Sequence, residues 1–551
     1  MPDWTYHPLS PVVAAVLGER RTRVLALRVL AAIVVSAGGR RWIPWVFDHS
    51  PVPAQWKGRF GASVPVSVAR ESIAVLPVQG ASIIEVGPVK IADVEAVRRA
   101  AAQRTCRVIA LVEGPEVAAA VAPHVDAVFV GEVPDTIRLT DPDIDSALIA
   151  LANPSATVLA TPAVLIAAGP GWFNRVIEAA VPTSPASRLR DVPANPRRWP
   201  AWFWGILVGV GMIIAGFGAA AITLGPVLLW YDRDFLGASV ADLHVINHHL
   251  VGFLQHDRLT MAGNMIGIGT LFIGVSWGGI RQGHVWARNA LLISGLITFL
   301  TLFYFLVTGF LEPLHTLVVI VLFPMFVFAV WHEPATPRWP TPQQGPEPER
   351  RRALWGQLLM IGIGGGLFAA GLIISIVGLT SVFVPTDLGF LGTDSHTLRS
   401  ADSGLLPFIA HDRAGFGGAL MGGGLLVLLI SLWGWRRGER WVWWSLLIGC
   451  AAGTAPAVAI HFAIGYTTFE HLLPVYVVIF TTALALTLSK SYLTAQLTAE
   501  PDAAADVDCR HGRCSSRALD PAEWSAVRNH HAHRAQRAHR RRTRTRPRLV
   551  D

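Results

Sequence analysis

Two short stretches of the chain carry residue types that can bind cations or move protons. "FLQHDRLTMAG" occupies residues 253–263 and "FIAHDRAGFGG" occupies 408–418, so His-Asp-Arg recurs after 155 residues, from 256 to 411. Imidazole and carboxylate groups can ligate a divalent cation, relay a proton or hold a polar ligand. Residues 256–258 and 411–413 are named the two HDR triplets.

Each triplet is accompanied by a further carboxylate. "LEPLHTLVVIV" supplies Glu312 and "FEHLLPVYVVI" supplies Glu470. The sequence predicts a duplicated polar site on the outer rim of a helix bundle, made of His256, Asp257, Arg258, Glu312, His411, Asp412, Arg413 and Glu470. Spacing alone assigns no catalytic residue, metal ligand or cofactor to it.

Two interpretations of this site remain open. In the architectural one, which we favour, Asp257 and Asp412 cap helix N-termini. Arg258 then pairs with Glu312, and Arg413 with Glu470, within each half of the bundle. In the other, the same groups bind a ligand or a cation. His461, an imidazole well inside an apolar run, is interpreted as a packing residue.

The elements that must position these residues are membrane helices. The 551-residue chain is 52% hydrophobic and only 15% charged, which is too apolar for an ordinary soluble enzyme. Eight runs without Asp, Glu, Lys or Arg are long enough to predict membrane spans. They are 202–230, 259–280, 289–311, 314–331, 354–384, 414–435, 441–466 and 472–489.

The predicted spans form two tandem four-helix repeats. At the same offset of 155, Gly209 and Gly216 match Gly364 and Gly371, and Asp232 matches Asp387. Such self-similarity is typical of duplication. The predicted organisation is an α/β domain (1–198), membrane repeat 1 (199–333), a Pro-rich linker (334–353), membrane repeat 2 (354–493) and a basic disordered tail (494–551).

Arginine distribution predicts the orientation. The segments around 188–198, 281–288, 338–352 and 436–440 are rich in arginine, so they should be cytoplasmic, with both termini inside. Arginine dominance over lysine is typical of a GC-rich bacterial genome, so we expect a bacterial plasma membrane. The tail segment "HRAQRAHRRRTRTRPR" should contact anionic lipid, and no specific nucleic-acid partner is expected.

The N-terminal part has a different pattern. Short β-rich runs at 81–89, 107–114 and 126–133 alternate with helical ones, which predicts βα units and a parallel sheet of at most six strands. Residues 21–39 are expected to form a helix on the inner leaflet.

Two segments here resemble class 2 dihydroorotate dehydrogenases. "YHPLSPVVAAVLGERRTRVLALRVL" is similar to the membrane-associated N-terminal helices of that family, and "LPVQGASIIEVGPV" to its early barrel strand. The resemblance implies part of a TIM barrel, FMN as cofactor and electron transfer to quinone. The family's flavin-binding and catalytic segments have no counterpart here, so a degenerate domain without cofactor is expected.

The sequence therefore predicts a polytopic α-helical membrane protein with an N-terminal α/β domain. Its expected function is a non-catalytic binding, sensing or transport module for an unidentified ligand. The alternative is a membrane-tethered flavin oxidoreductase related to dihydroorotate dehydrogenase.

Overall fold

The computed structural model describes residues 3–36, 38–47, 49–180, 186–305, 310, 312–331 and 346–496, without the side chains of 302–305. The basic tail beyond Gln496 and most of the predicted Pro-rich linker lie outside these residues. Met1–Leu497 form one compact unit.

The N-terminal region is an α/β domain, as the alternating pattern predicts, and three helices precede it. Its elements are α1 (Asp3–Leu17), α2 (Glu19–Val35), α3 (Gly39–Val46), β1 (Phe60–Val64), α4 (Ala69–Val75), β2 (Ile83–Val89), α5 (Val94–Ala101), β3 (Arg107–Val112), α6 (Pro115–Val121), β4 (Ala127–Val130), β5 (Thr136–Leu139), α7 (Ile144–Ala152), β6 (Thr157–Ala160), α8 (Pro162–Ala168) and α9 (Trp172–Ala179).

The six strands form one parallel sheet, curved as a half-barrel, in the order β4-β3-β2-β1-β6-β5. Gly61 pairs with Ile83 in β2 and with Leu159 in β6, which places β1 at the centre. Helices cover the sheet over a core that includes Phe60, Trp172 and Phe173. The predicted β-rich runs became β2, β3 and β4, whereas β1 and β5 were not predicted.

The glycine loop before α9 binds a carboxylate from the start of the chain. Gly171 N–H donates to Asp3 Oδ1 over 2.8 Å. The Arg350 guanidinium donates to the other Asp3 oxygen over 3.0 Å and also contacts the Ala168 carbonyl. Asp3 and Arg350 are buried, so this contact joins the α/β domain to the long helix that contains Arg350.

The remaining described chain is helical. Its elements are α10 (Ala201–Leu224), α11 (Trp230–Leu236), α12 (Val240–Ile246), α13 (Leu250–Gly274), α14 (Val285–Phe305), α15 (Pro313–Trp331), α16 (Glu347–Leu379), α17 (Pro385–Leu391), α18 (Ser395–Ala401), α19 (Leu405–Trp433), α20 (Arg440–Ile464) and α21 (Phe469–Leu493).

Seven of these helices are long and apolar enough to cross a membrane: α10, α13 with its extension to Gln282, α15, α16, α19, α20 and α21. α14 lies where the third of eight spans was predicted, and its apolar part, Val285–Thr301, is shorter. Part of that predicted span, 306–309 and Leu311, lies outside the described residues. By length and apolar composition, these helices are compatible with an integral membrane protein.

Close helix crossings are made by glycines. A Cβ at Gly269 of α13 would lie 2.5 Å from the Gly209 carbonyl oxygen of α10, a distance that no side chain tolerates. The crossing of α16 and α19 repeats this arrangement, because a Cβ at Gly424 would lie 2.9 Å from the Gly364 carbonyl oxygen. Each residue of the second pair is 155 positions after its counterpart. Small residues of this kind allow membrane helices to pack backbone to backbone.

Both HDR triplets lie inside long helices. α13 begins at Leu250 and α19 at Leu405, so Asp257 and Asp412 each come seven positions after the helix start. The predicted spans started later, at 259 and 414, because the charged triplets were taken to mark the helix entry. The charges are tolerated inside the helices because they pair with one another.

Candidate functional site

The two HDR triplets face each other across the contact of α13 with α19. Arg258 Nε donates to Asp412 Oδ2 over 2.7 Å, and Arg413 Nε donates to Asp257 Oδ2 over 3.1 Å. All four side chains are buried, with at most 8% of any residue exposed. A buried charge pair is stable only when its hydrogen bonds are satisfied, and further groups meet that condition here.

Each arginine has a second carboxylate and a backbone carbonyl as partners. Arg258 Nη1 lies 3.5 Å from Asp232 Oδ2 and donates to the Val227 carbonyl over 2.7 Å. Arg413 Nη1 lies 2.6 Å from Asp387 Oδ2 and donates to the Val382 carbonyl over 3.1 Å.

The two carbonyl acceptors belong to strained residues. Val227 and Val382 have φ values of +61° and +65°, which are rare for β-branched side chains. Both arginine networks therefore include the same unusual backbone geometry, at positions 155 residues apart.

The predicted architecture of the triplets is wrong in two respects. Asp257 and Asp412 do not cap helices; they accept from arginines within the bundle. Arg258 pairs with Asp232 and Asp412 rather than with Glu312, and Arg413 pairs with Asp257 and Asp387 rather than with Glu470. The reason is geometric: the two helices meet at their triplets, so each arginine faces the aspartate of the other helix.

Three histidines converge beside the first triplet. His256 on α13, His461 in the last turn of α20 and His471 in the first turn of α21 each offer a ligand atom, all within 4.8 Å of one another. The ring centroids of His256 and His461 are 4.3 Å apart. We name this group the histidine site.

One nitrogen of each imidazole in the histidine site lies beside a polar neighbour, and for His461 and His471 this is a hydrogen-bond contact. His256 Nδ1 lies 3.0 Å from Asp257 Oδ1, His461 Nδ1 contacts the Ala457 carbonyl over 2.6 Å, and His471 Nδ1 contacts the Tyr466 hydroxyl over 3.0 Å. A hydrogen bond at one ring nitrogen fixes the direction of the other, as in most histidines that bind metals. His461 Nε2 is buried and has no hydrogen-bond partner among the described residues.

A second cluster lies beside the second triplet. Glu312, His315 in the first turn of α15 and His411 on α19 bring together Glu312 Oε2, His315 Nδ1 and His411 Nε2. His411 Nε2 is 3.1 Å from the carboxylate oxygen and 3.3 Å from the His315 nitrogen. We name this group the carboxylate site.

The carboxylate site also has an outer set of partners. The Tyr231 hydroxyl donates to Glu312 Oε1 over 3.2 Å. Burial alone would raise the pKa of Glu312, but His315 and His411 hold it well below its usual range. Burial raises the pKa of the neighbouring Asp232, and the opposing effect of Arg258 offsets this rise only in part.

Both clusters are suited to transition metals. Imidazole and carboxylate donors bind Zn²⁺, Fe²⁺ and copper, and two histidines with one carboxylate form a common three-ligand set. Tetrahedral ligands at metal distances of 2.0–2.1 Å lie about 3.3 Å apart. The two His411 distances in the carboxylate site are near this spacing, whereas Glu312 Oε2 and His315 Nδ1 are in closer, direct contact.

Seven of the eight predicted site residues therefore lie in or directly beside the two clusters, whereas Glu470 is exposed in the first turn of α21. Sequence reasoning did not single out His315 or His471 and treated His461 as a packing residue. One signal was available, because "LEPLH" places a histidine three residues after Glu312 and "FEH" places one directly after Glu470.

Comparison of the chain with known proteins finds no matching family model, no matching characterised protein and no matching solved structure.

Proposed function

We propose that this protein is an integral membrane protein that binds transition-metal ions at two largely buried positions, the histidine site and the carboxylate site. The observation that supports it is the convergence of three ligand atoms in each cluster. Each cluster combines the histidine of one HDR triplet with residues that are distant in sequence. A packing role would not require the ring nitrogens of three histidines to approach one another.

The paired layout supports an origin by internal duplication, with four spans in each repeat and α14 as the third span of the first. Arg258, Asp232 and Val227 make the same contacts as Arg413, Asp387 and Val382. With the arginine-rich loops in the cytoplasm of a bacterium, both metal sites lie toward the outer face of the plasma membrane. The basic tail then contacts anionic lipid on the inner face.

Metal analysis of the detergent-purified full chain tests this function. The protein is stripped with chelator, incubated with Co²⁺ and examined for ligand-field absorption and for bound metal per chain. With Co²⁺ in large excess and no competing copper, we expect two bound ions, and one fewer after His256→Ala or His411→Ala. His244→Ala removes an exposed histidine and should leave the stoichiometry unchanged. Retention of no ion by the intact, monodisperse protein would overturn the proposal.

A second candidate function concerns the N-terminal domain. Its parallel half-barrel sheet is compatible with a remnant of a flavin-binding barrel. A relationship to the dihydroorotate dehydrogenases is what we infer from the segments around 6–30 and 76–89. The test is the absorption spectrum of the purified protein together with an assay of dihydroorotate oxidation. We expect no flavin and no orotate, and flavin at near-unit stoichiometry with turnover would favour the oxidoreductase.

A further inference from the structure

The two sites differ in donor atoms. The histidine site offers three neutral imidazoles, whereas the carboxylate site offers two imidazoles and the Glu312 carboxylate. Copper is readily bound by imidazole alone, and a carboxylate oxygen is a harder donor that suits divalent ions. The inference below rests on the metal-binding function proposed above and specifies it.

The charged groups around the histidine site leave a small negative excess. Asp257 contacts His256, and Arg413 pairs with Asp257. Arg413 also pairs with Asp387, which accepts from the Tyr466 hydroxyl that contacts His471. Two carboxylates and one guanidinium give a net charge of −1 around three neutral ligands.

The carboxylate site is more negative. Glu312 itself supplies a ligand atom, and Asp412 directly follows the ligand His411. Asp232 directly follows Tyr231, whose hydroxyl donates a hydrogen bond to Glu312. Arg258 is the guanidinium that pairs with both aspartates. Three carboxylates and one guanidinium give a net charge of −2.

These charges are held inside the protein, where water does not screen them. Asp257, Asp387 and Arg413 are at most 6% exposed, and Asp232, Asp412 and Arg258 at most 8%. An uncompensated charge in such surroundings is costly. A cation that neutralises its site is therefore bound in preference to one that leaves an excess.

From this charge balance we propose that the histidine site binds monovalent copper, Cu⁺, and that the carboxylate site binds a divalent ion such as Zn²⁺. Cu⁺ neutralises the −1 of the first site, and Zn²⁺ neutralises the −2 of the second. Zn²⁺ in the histidine site would leave a buried positive excess, and Cu⁺ in the carboxylate site a buried negative one.

The experiment loads metal-free, detergent-purified full chain anaerobically with Cu⁺, buffered by a chromophoric chelator, and with Zn²⁺. Bound metals are measured by mass spectrometry after size exclusion. We expect one Cu⁺ and one Zn²⁺ per chain. His461→Ala should abolish Cu⁺ binding and retain Zn²⁺. Glu312→Gln should weaken Zn²⁺ binding by at least about tenfold and retain Cu⁺. Glu470→Gln, an exposed carboxylate, is the matched control and should change neither.

A variant that changes only the charge beside a site tests whether the charge balance selects the metal ion. Asp387→Asn removes one negative charge beside the histidine site without changing a ligand atom, so it should weaken Cu⁺ binding and leave Zn²⁺ binding unaltered. If the variant elutes as aggregate, His471→Gln tests the location of the Cu⁺ site instead, because it removes a ligand and should abolish Cu⁺ binding while Zn²⁺ binding is retained. Two Zn²⁺ ions bound in the presence of Cu⁺, or loss of Cu⁺ in Glu312→Gln, would overturn the assignment while preserving metal binding. Absence of both metals would overturn the proposed function as well.

Discussion

Arg258 donates to Asp412 over 2.7 Å, although 154 positions separate the two residues in the chain. Arg413 makes the corresponding contact with Asp257. The guanidinium groups also stack on aromatic rings of the opposite helix, Arg258 on Phe408 and Arg413 on Phe253, at 4.8 and 4.9 Å from the ring centres. The two triplets thus form a double ion pair that ties α13 to α19.

Breaking this double pair should destabilise the protein strongly. Arg258→Gln leaves the buried Asp412 without its main partner, so we expect a loss of about 3–5 kcal/mol in the free energy of unfolding. Asp412→Asn should cost a similar amount. Because both changes remove the same interaction, the double variant should cost clearly less than the sum of the single ones. The measurement is unfolding of the detergent-solubilised protein in denaturant.

Arg233→Gln is the control for this cycle, because Arg233 is exposed and its loss should leave stability nearly unchanged. A cycle that combines Arg258→Gln with Glu312→Gln instead of Asp412→Asn should be close to additive. Strong coupling in that second cycle would contradict the pairing described above.

The glycine crossings predict a steric effect. Gly269→Ala would push a methyl group to within 2.5 Å of the Gly209 carbonyl oxygen, so we expect α10 and α13 to separate at a cost of about 1–3 kcal/mol. Gly366→Ala on α16 meets no atom within 4 Å and should be neutral or slightly stabilising, since alanine favours the helix. The measurement is the midpoint temperature of thermal aggregation of each variant in detergent. Equal midpoints for the two variants would show that α10 and α13 do not cross tightly at Gly269.

The orientation of the helices is a prediction that reporter fusions can test. Fusions at 240 and 395 should report outside, and fusions at 284, 342 and 520 should report inside. The arginine-rich segments set this expectation. An outside location for 342 would contradict both the eight-span count and the four-plus-four division of the chain.

Glu439, just before α20, makes stability depend on pH. Burial raises the pKa of its carboxyl to about 7, against the opposing effects of Arg436 and Trp441. Because this pKa lies above its ordinary value of 4.5, the folded protein holds the proton more tightly than the unfolded chain. Stability should therefore fall as pH rises from about 4.5 to 7, by about 3 kcal/mol at most.

Melting temperatures of the wild type and of Glu439→Gln, measured across that pH range, check this expectation. The variant lacks the titrating group, so its profile should be flatter. Glu132→Gln removes an exposed carboxyl and should retain the wild-type profile. A wild type that becomes more stable between pH 4.5 and 7, relative to Glu439→Gln, would contradict the sign.

Apolar runs and alternating patterns were sufficient to predict a chain of apolar helices with an N-terminal parallel sheet, whereas the eight spans and the two repeats stay predictions. The βα units appear as predicted because buried strands read as continuous Val and Ile runs, as in "ASIIEVGPV". β1 and β5 were missed because "FGASV" and "TIRL" carry few such residues. The predicted helix starts came too late, after the observed starts at Leu250 and Leu405, because charged residues were taken to mark the membrane boundary. In the structure these charges are neutralised by partners that are far away in the sequence.

The candidate site was predictable only in part. Recurrence of the HDR triplet identified the residues that lie at the contact of α13 with α19. The predicted ion pairs were wrong because the partner of each arginine depends on how α13 crosses α19. His461 and His471 come from two further helices, and no local spacing relates them to His256. A cluster assembled from distant helices leaves no single contiguous motif in the sequence.

The double ion pair also sets an order for biogenesis. When α13 leaves the ribosome, Asp257 and Arg258 enter the membrane before Asp412 and Arg413 have been synthesised. At about 5–20 residues per second, the intervening 155 positions take roughly 8–30 s. During that interval Asp257 lacks its guanidinium partner and Arg258 can pair only with Asp232, so we expect the first half to stay within reach of the insertion machinery until α19 is complete. Completion of α19 supplies the missing partners and allows the bundle to close.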